Sequence, residues 1–242
     1  MYRVGIDVGG TFTDLVAIDG DGKVTLGKTS STPNDQSIAV MNGLSQVAEV
    51  LGLDLAELLA RTERIVHGTT VATNALLERK GAKVGLLTTA GHRDVLEMRE
   101  GLKPERYNLR LPRPEALVPR HLRLGVEERI KADGKIAVPL DDASLVKAIR
   151  VLKRKKVTSV AVCYLHSYHD NRHELATRTA LTEALPDVDV CLSSEVLPQI
   201  KEYERVSTTV VNAYVAPILA GYLSRLEQAL KVAGYSGPIL II

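Results

Sequence analysis

The front of the chain alternates between apolar runs and polar breaks at strand spacing. An apolar run closing at Asp7, a glycine bend and a second apolar run after Asp14 predict a β-hairpin with strands over 4–8 and 12–18. Asp19-Gly20-Asp21-Gly22 marks a turn into a third strand over 24–29. The spacing then lengthens. Ile38, Met41, Leu44, Val47, Ala48 and Leu51 recur at helical intervals, and Pro33 with Asn34 or Asp35 opens that helix. A short helix over 53–60, a strand over 64–67, a helix over 71–80 and a strand over 83–88 complete a βββαβα front third.

The middle reads differently. Pro104, Pro112, Pro114 and Pro119, set among arginines, predict an extended surface segment over 101–119, and 106–123 reads as solvated or as a subunit contact. Residues 124–130 and 135–138 around Ala132-Asp133-Gly134 predict a hairpin. A βαβα unit resumes with a helix over 141–153, a strand over 158–165, a helix over 171–185 and a strand over 188–193. A long helix from Tyr203 to about Ala233 is expected to break or kink near Pro217. An apolar strand over 239–242 comes last. Buried strands seldom end a protein, so the chain reads as the front part of something longer. The expected division is a phosphate-binding core over 1–100 and a Pro/Arg-rich segment with an α/β unit over 101–200. A connecting helix and the first strand of a further domain then fill 201–242.

Composition narrows the function classes. The 242 residues are 45% apolar and 25% charged, ordinary globular values, with a net charge of +2 that gives no reason to expect nucleic acid or an anionic membrane. With no Trp and one Phe, an aromatic platform for single-stranded nucleic acid is not expected. Cys163 and Cys191 sit in β-branched runs and read as buried thiols, not as a disulfide or metal framework. No apolar stretch reads as a membrane span and Met1-Tyr2-Arg3 leads directly into a strand, so a cytoplasmic protein is expected.

The candidate chemistry concentrates in Gly5-Ile6-Asp7-Val8-Gly9-Gly10-Thr11-Phe12-Thr13-Asp14. Gly9 and Gly10 lack Cβ atoms at the bend, so backbone N–H groups can approach an anion closely. Thr11 and Thr13 add hydroxyls, and Asp7 supplies a strand-end carboxylate suited to a water-mediated Mg²⁺. Glycines between two strands match neither the Walker loop nor the dinucleotide fingerprint. They resemble the first phosphate-binding hairpin of the superfamily uniting actin, sugar and acetate kinases and heat-shock chaperones. That resemblance implies a ribonuclease-H-like mixed α/β sheet with helices, here with an inserted or appended βαβα unit. A second cluster, His67-Gly68-Thr69-Thr70 with Thr73 and Asn74, opens the helix after a strand. It reads as an anion or substrate site or as ordinary N-capping by Thr69 or Thr70.

Three further strings carry a closer resemblance: residues 67–77, Gly85-Leu86-Leu87-Thr88-Thr89 continuing to Arg93-Asp94, and residues 203–217 beginning Tyr203-Glu204-Arg205. With the glycine bend they are similar, in order and over essentially all 242 residues, to the hydantoinase/5-oxoprolinase family in its ATP-dependent branch. That branch includes the ATP-binding subunits of N-methylhydantoinase, acetone carboxylase and acetophenone carboxylase. The resemblance implies that Asp7, Gly9, Gly10, Thr11 and Thr13 take ATP phosphates and magnesium, with Asp7 directing the metal. It implies that His67, Thr69, Thr70 and Asn74 line the reacting end, Asp7, His67 and Thr70 being catalytic. Glu204, Arg205, Thr208 and Asn212 are implied beneath the phosphates. The adenine-binding glycines would lie beyond residue 242.

The implied chemistry is phosphoryl transfer from ATP to a carbonyl or amide oxygen of a cyclic amide or ketone. A second catalytic subunit or domain then hydrolyses the ring amide or carboxylates the activated species, in a hetero-oligomer. The alternatives are a nucleotide-dependent chaperone or structural ATPase, and a non-catalytic assembly module. His166, His169, Asp170, His173 and Glu174 invite a metal reading, but Asp170-Asn171 reads as a turn and cap, and solvated turn residues are the expectation.

Overall fold

The structure, a computed structural model, describes residues 1–101, 105–112 and 115–242, so Pro104 and Pro114 of the expected extended segment lie outside the described residues. In chain order the first elements are β1 (Tyr2–Val8), β2 (Phe12–Ile18), β3 (Val24–Ser30), α1 (Gln36–Val50), α2 (Leu55–Ala60), β4 (Thr62–Thr69) and α3 (Val71–Leu77). Then come β5 (Val84–Thr89), α4 (Val95–Met98), β6 (Arg123–Val126), β7 (Arg129–Ile130), β8 (Ile136–Val138) and α5 (Asp142–Lys155). The last are β9 (Ser159–Cys163), α6 (Arg172–Ala184), β10 (Asp189–Leu192), α7 (Ser193–Val196), α8 (Glu202–Val232) and β11 (Ile239–Ile241). They form two compact units, Met1–Lys80 with Ile218–Ile242, and Gly81–Pro217. A division at 100 and 200 does not coincide with these boundaries, because the last 25 residues return to the first unit.

The first unit is built on one sheet in the order β11-β4-β1-β2-β3. β1 runs antiparallel to β2 and β2 to β3, while β4 lies parallel to β1 and β11 parallel to β4. β11 therefore extends this sheet, where the sequence reading expected the start of a further domain. Val4, Ile6 and Val8 alternate with exposed or half-buried neighbours, so one face of β1 is core. α1 packs on that side through Val40, Leu44, Val47 and Ala48. Its N-terminus is capped by Asp35, whose carboxylate accepts from the Ser37 N–H. Gly43 lets the helix approach closely, since a Cβ there would lie 2.2 Å from Leu15 Cδ1. Tyr222, Leu226 and Leu230 of α8 complete this core.

The second unit has an all-parallel sheet in the order β10-β9-β5-β6. β5 and β9 are buried at every position, as expected of parallel strands covered on both faces. The expected 124–130 hairpin strand is split: β6 joins β5 in parallel, and only β7 pairs with β8. Several polar side chains expected in solvent are buried. Arg123 donates from Nε to the Val118 carbonyl and pairs with Glu97 at 3.3 Å. His173 Nδ1 lies 2.8 Å from buried Glu128, which also accepts from Thr89. Glu174 accepts from the Tyr164 and Ser194 N–H groups and from the Ser193 hydroxyl. These partners leave no shared metal position, and no group of three or more His, Cys, Asp or Glu suited to a metal occurs among the described residues. Cys163 is buried as expected, but Cys191 is only half-buried.

α8 runs unbroken through Pro217. By length and composition alone it is apolar enough to cross a membrane, which the sequence reading missed. Its Val206, Val210, Ala213, Tyr214, Tyr222, Leu226 and Leu230 are nevertheless buried in protein.

Candidate functional site

The β1–β2 bend is closed by the Gly9 N–H, which donates to the Phe12 carbonyl at 3.0 Å. Neither glycine has positive φ, so the bend needs no left-handed backbone there, and only Gly9 is held to glycine by space. A Cβ on Gly9 would sit 3.0 Å from the Phe12 carbonyl oxygen; Gly10 faces Asn74, whose Nδ2 would lie 3.8 Å from a Cβ. Ser31, just past β3, fixes the bend from both sides. Its N–H donates to the Thr11 carbonyl at 2.9 Å and its hydroxyl to the Gly9 carbonyl at 2.8 Å. That spends its single hydroxyl proton, so the 3.0 Å bond to Thr13 Oγ1 has Thr13 as donor. Thr13 is fully buried and acts on the bend through Ser31. Among the described residues the Gly10 and Thr11 N–H groups have no partner.

Beside the bend lies a cleft of about 480 Å³. Gly9, Gly10 and Ser31 form one part of its wall, Thr70 and Asn74 another, and Lys80, Tyr222 and Arg225 bring two cations and a phenol. Lys80 is paired with Glu78 at 2.7 Å and Arg225 with Asp35 at 3.2 Å. The Ser37 hydroxyl, more than Arg225, holds the Asp35 carboxyl below its usual range. A larger cavity of about 620 Å³, along Leu223, Leu226, Tyr235, Pro238 and Ile239, contains none of the expected site residues. Chemistry therefore favours the smaller one.

Of the expected residues, the structure gathers Gly9, Gly10, Thr70 and Asn74 around the cleft. Thr70 stands at the N-cap position of α3 without capping it. Its hydroxyl donates to the Val8 carbonyl and accepts from Asn74 Nδ2, both at 3.2 Å. Thr69 is the residue that accepts from the Val71 N–H, at 3.3 Å. Thr11 is exposed on the bend.

Asp7 is exposed on the face of β1 opposite Ile6 and Val8, in register with Asp14 across the strand pair. Asp14 is neutralised by Lys28 at 2.9 Å, while the Asp7 carboxylate has no hydrogen-bond or ion-pair partner among the described residues. His67 is fully buried and does not line the cleft. Its Nε2 lies 2.7 Å from the Tyr222 hydroxyl, and among the described residues its Nδ1 has no partner in good hydrogen-bond geometry. Burial holds its pKa below the ordinary 6.5. Tyr222, not His67, presents this pair to the cleft.

The remaining four residues lie in the second unit. Arg205 is 1% exposed and donates its two Nη groups to the Gln199 and Tyr164 carbonyls, each at 2.9 Å. Glu204 pairs with Lys201 at 3.3 Å, Asn212 Nδ2 donates to Cys191 Sγ, and Thr208 is exposed. Sequence reasoning missed Ser31, Lys80, Tyr222 and Arg225. Ser31 follows the third predicted strand directly, but nothing local marks Tyr222 or Arg225, which are about 150 residues from the cleft's other wall.

The chain is similar to known proteins in sequence and in fold. A family model described as the hydantoinase/oxoprolinase N-terminal region matches residues 3–185. The chain is 46% identical over 239 residues to caprolactamase subunit alpha of Pseudomonas jessenii, covering 98% of this chain and 34% of that protein. It is 35% identical over 252 residues to the acetophenone carboxylase gamma subunit of Aromatoleum aromaticum, covering 99% and 34%. The crystal structure of the ATP-dependent caprolactamase from Pseudomonas jessenii superposes with a TM-score of 0.92 at 45% identity, over 99% of this chain and 35% of that one. Nucleotide-free acetone carboxylase superposes with a TM-score of 0.88 at 28% identity, over 99% and 36%. The chain spans about a third of the length of the curated relatives it matches.

Proposed function

We propose, for a chain that belongs to the hydantoinase/oxoprolinase family, that its first unit binds the phosphates of Mg-ATP at the β1–β2 bend. The subunit it belongs to would use them to phosphorylate a carbonyl or amide oxygen of a small cyclic amide or ketone. The strand order β11-β4-β1-β2-β3 supports a ribonuclease-H-like class for this unit. Relatives are subunits of a caprolactamase and of a carboxylase, which supports a partner subunit that completes the reaction. Caprolactam hydrolysis and ketone carboxylation share one need, a carbonyl oxygen turned into a better leaving or enolising group.

One observation carries the reading: the unpartnered Gly10 and Thr11 N–H groups on a bend beside a cleft that holds Lys80 and Arg225. The residues fit the ligand. Fixed N–H donors and two cations suit phosphate oxygens, and an exposed, unpaired Asp7 suits a hydrated divalent ion. The nucleotide would supply the phosphoryl group and the ion would neutralise charge on it. The chain's own part is positioning: Ser31 holds the bend shape, Gly10 and Thr11 donate, and Lys80 and Arg225 would turn to the phosphates from their pairs with Glu78 and Asp35. Thr70 and Asn74 present a hydroxyl and an amide along the same wall.

Asp7→Asn in the intact assembly tests this. A surface strand-end carboxylate adds little to stability, so folding is expected to be unchanged while most Mg-ATP-dependent turnover is lost. Unchanged turnover at saturating magnesium would sink the role given to Asp7.

A further inference from the structure

The second unit contains a polar feature that the phosphate site does not use. Its strands follow one another as β5, β6, β9, β10 but lie in the order β10-β9-β5-β6. The chain thus moves from β5 to one side and then crosses to the other, which makes the β5/β9 gap the topological switch point of this parallel sheet. In open α/β sheets the crevice at the carboxyl ends of such strands is where ligands bind. At that position a small cavity of about 20 Å³ is lined by Thr88 of β5, Cys163 and Leu165 at the end of β9, and Arg205. His92 and Glu202 also line it. Thr88 is 1% exposed, and among the described residues its Oγ1 has no hydrogen-bond partner; Arg205 is equally buried, and its Nε has none there either. Both residues line the one cavity, and an unpartnered buried polar atom is costly in a native interior, so the pair calls for a ligand.

Charge decides what kind. Arg205 has no carboxylate within ion-pair distance among the described residues, which alone would suggest an anion. However, buried Glu174 accepts the Tyr164 N–H at 3.0 Å while Arg205 takes the Tyr164 carbonyl at 2.9 Å. The two charges flank Tyr164, one on each of the peptide groups that meet at its Cα, and oppose each other there. Glu202 on the crevice would repel a second anion. The ligand is therefore neutral, and the volume admits one water, which needs about 10–15 Å³ and at least two polar partners.

We infer that a single buried water bridges Thr88 Oγ1 and Arg205 Nε at the carboxyl ends of β5 and β9. It accepts the Arg205 Nε–H and exchanges a hydrogen bond with the Thr88 hydroxyl, tying the first turns of α8 to the end of β5. Thr88→Val, which removes the hydroxyl at nearly constant volume, separates the possibilities by sign. With the water bound, the variant loses a satisfied hydrogen bond, and the melting temperature of the intact protein falls by about 3 °C. With a dry cavity, valine removes an unsatisfied hydroxyl and the melting temperature holds or rises, which would overturn the proposal. A crystal structure of the unmutated protein is expected to show a solvent peak within hydrogen-bond reach of both atoms, and its absence at high resolution would overturn it equally. Melts in sodium formate and sodium chloride at matched ionic strength are expected to coincide. Stabilisation by formate alone would assign the site to an anion instead.

Discussion

Ser31 carries more of the β1–β2 bend than its place after β3 suggests. Its N–H and hydroxyl hold the Thr11 and Gly9 carbonyls, and it receives the buried Thr13 hydroxyl. Ser31→Ala would strand Thr13 and release the Gly9 carbonyl, an expected cost on the order of 1–3 kcal/mol. Urea melts should show that loss, and calorimetry on the intact protein should show a weakened affinity for Mg-ATP. Normal affinity in a destabilised variant would limit Ser31 to the scaffold. His67 makes a pH prediction. Burial lowers its folded pKa below the ordinary 6.5, so between those two values the unfolded chain binds more protons. Its contribution to stability is full above 6.5 and is lost as pH falls to and through the folded value. His67→Gln should flatten that part of a urea-midpoint profile against pH. His92, also lowered by burial and by Arg129, keeps its own share. A variant profile as steep as the parent's would contradict the buried, neutral His67.

At the scale of elements, α1 depends on close approach. Gly43 weakens the helix by propensity but leaves room for Leu15, so Gly43→Ala should destabilise by roughly 1–3 kcal/mol through overpacking, despite alanine's better helix propensity. Thermal melts check the sign; a stabilised variant would mean that Leu15 relocates freely. The same scale shows what a sequence can reveal. The β1–β2 hairpin was legible because alternation and a glycine bend are local signals, and α1 because Ile38 to Leu51 keep helical spacing. The 124–130 run misled because its apolar positions fit one strand, whereas β6 takes its partner from β5, more than 30 residues earlier. Arg123, His173 and Glu174 read as surface because their side-chain partners Glu97, Glu128 and Ser193 lie 26, 45 and 19 residues away. Gly9, Gly10, Thr70 and Asn74 were legible from two short motifs. Tyr222 and Arg225 reach the cleft only because α8 returns to the first unit.

For the whole molecule, the two units divide the candidate site residues. The discontinuous first unit holds the bend, the cleft and Asp7; the continuous second unit holds Arg205, whose two Nη groups are bound to that unit's own carbonyls. The central claim is that phosphates bind at the Gly9–Gly10 bend. A crystal structure of the intact assembly with magnesium and a non-hydrolysable ATP analogue tests this most directly. Phosphate oxygens are expected within hydrogen-bond reach of the Gly10 and Thr11 N–H groups, with the metal on the Asp7 side of the bend. A well-ordered nucleotide bound elsewhere, with those N–H groups still facing solvent, would contradict the account.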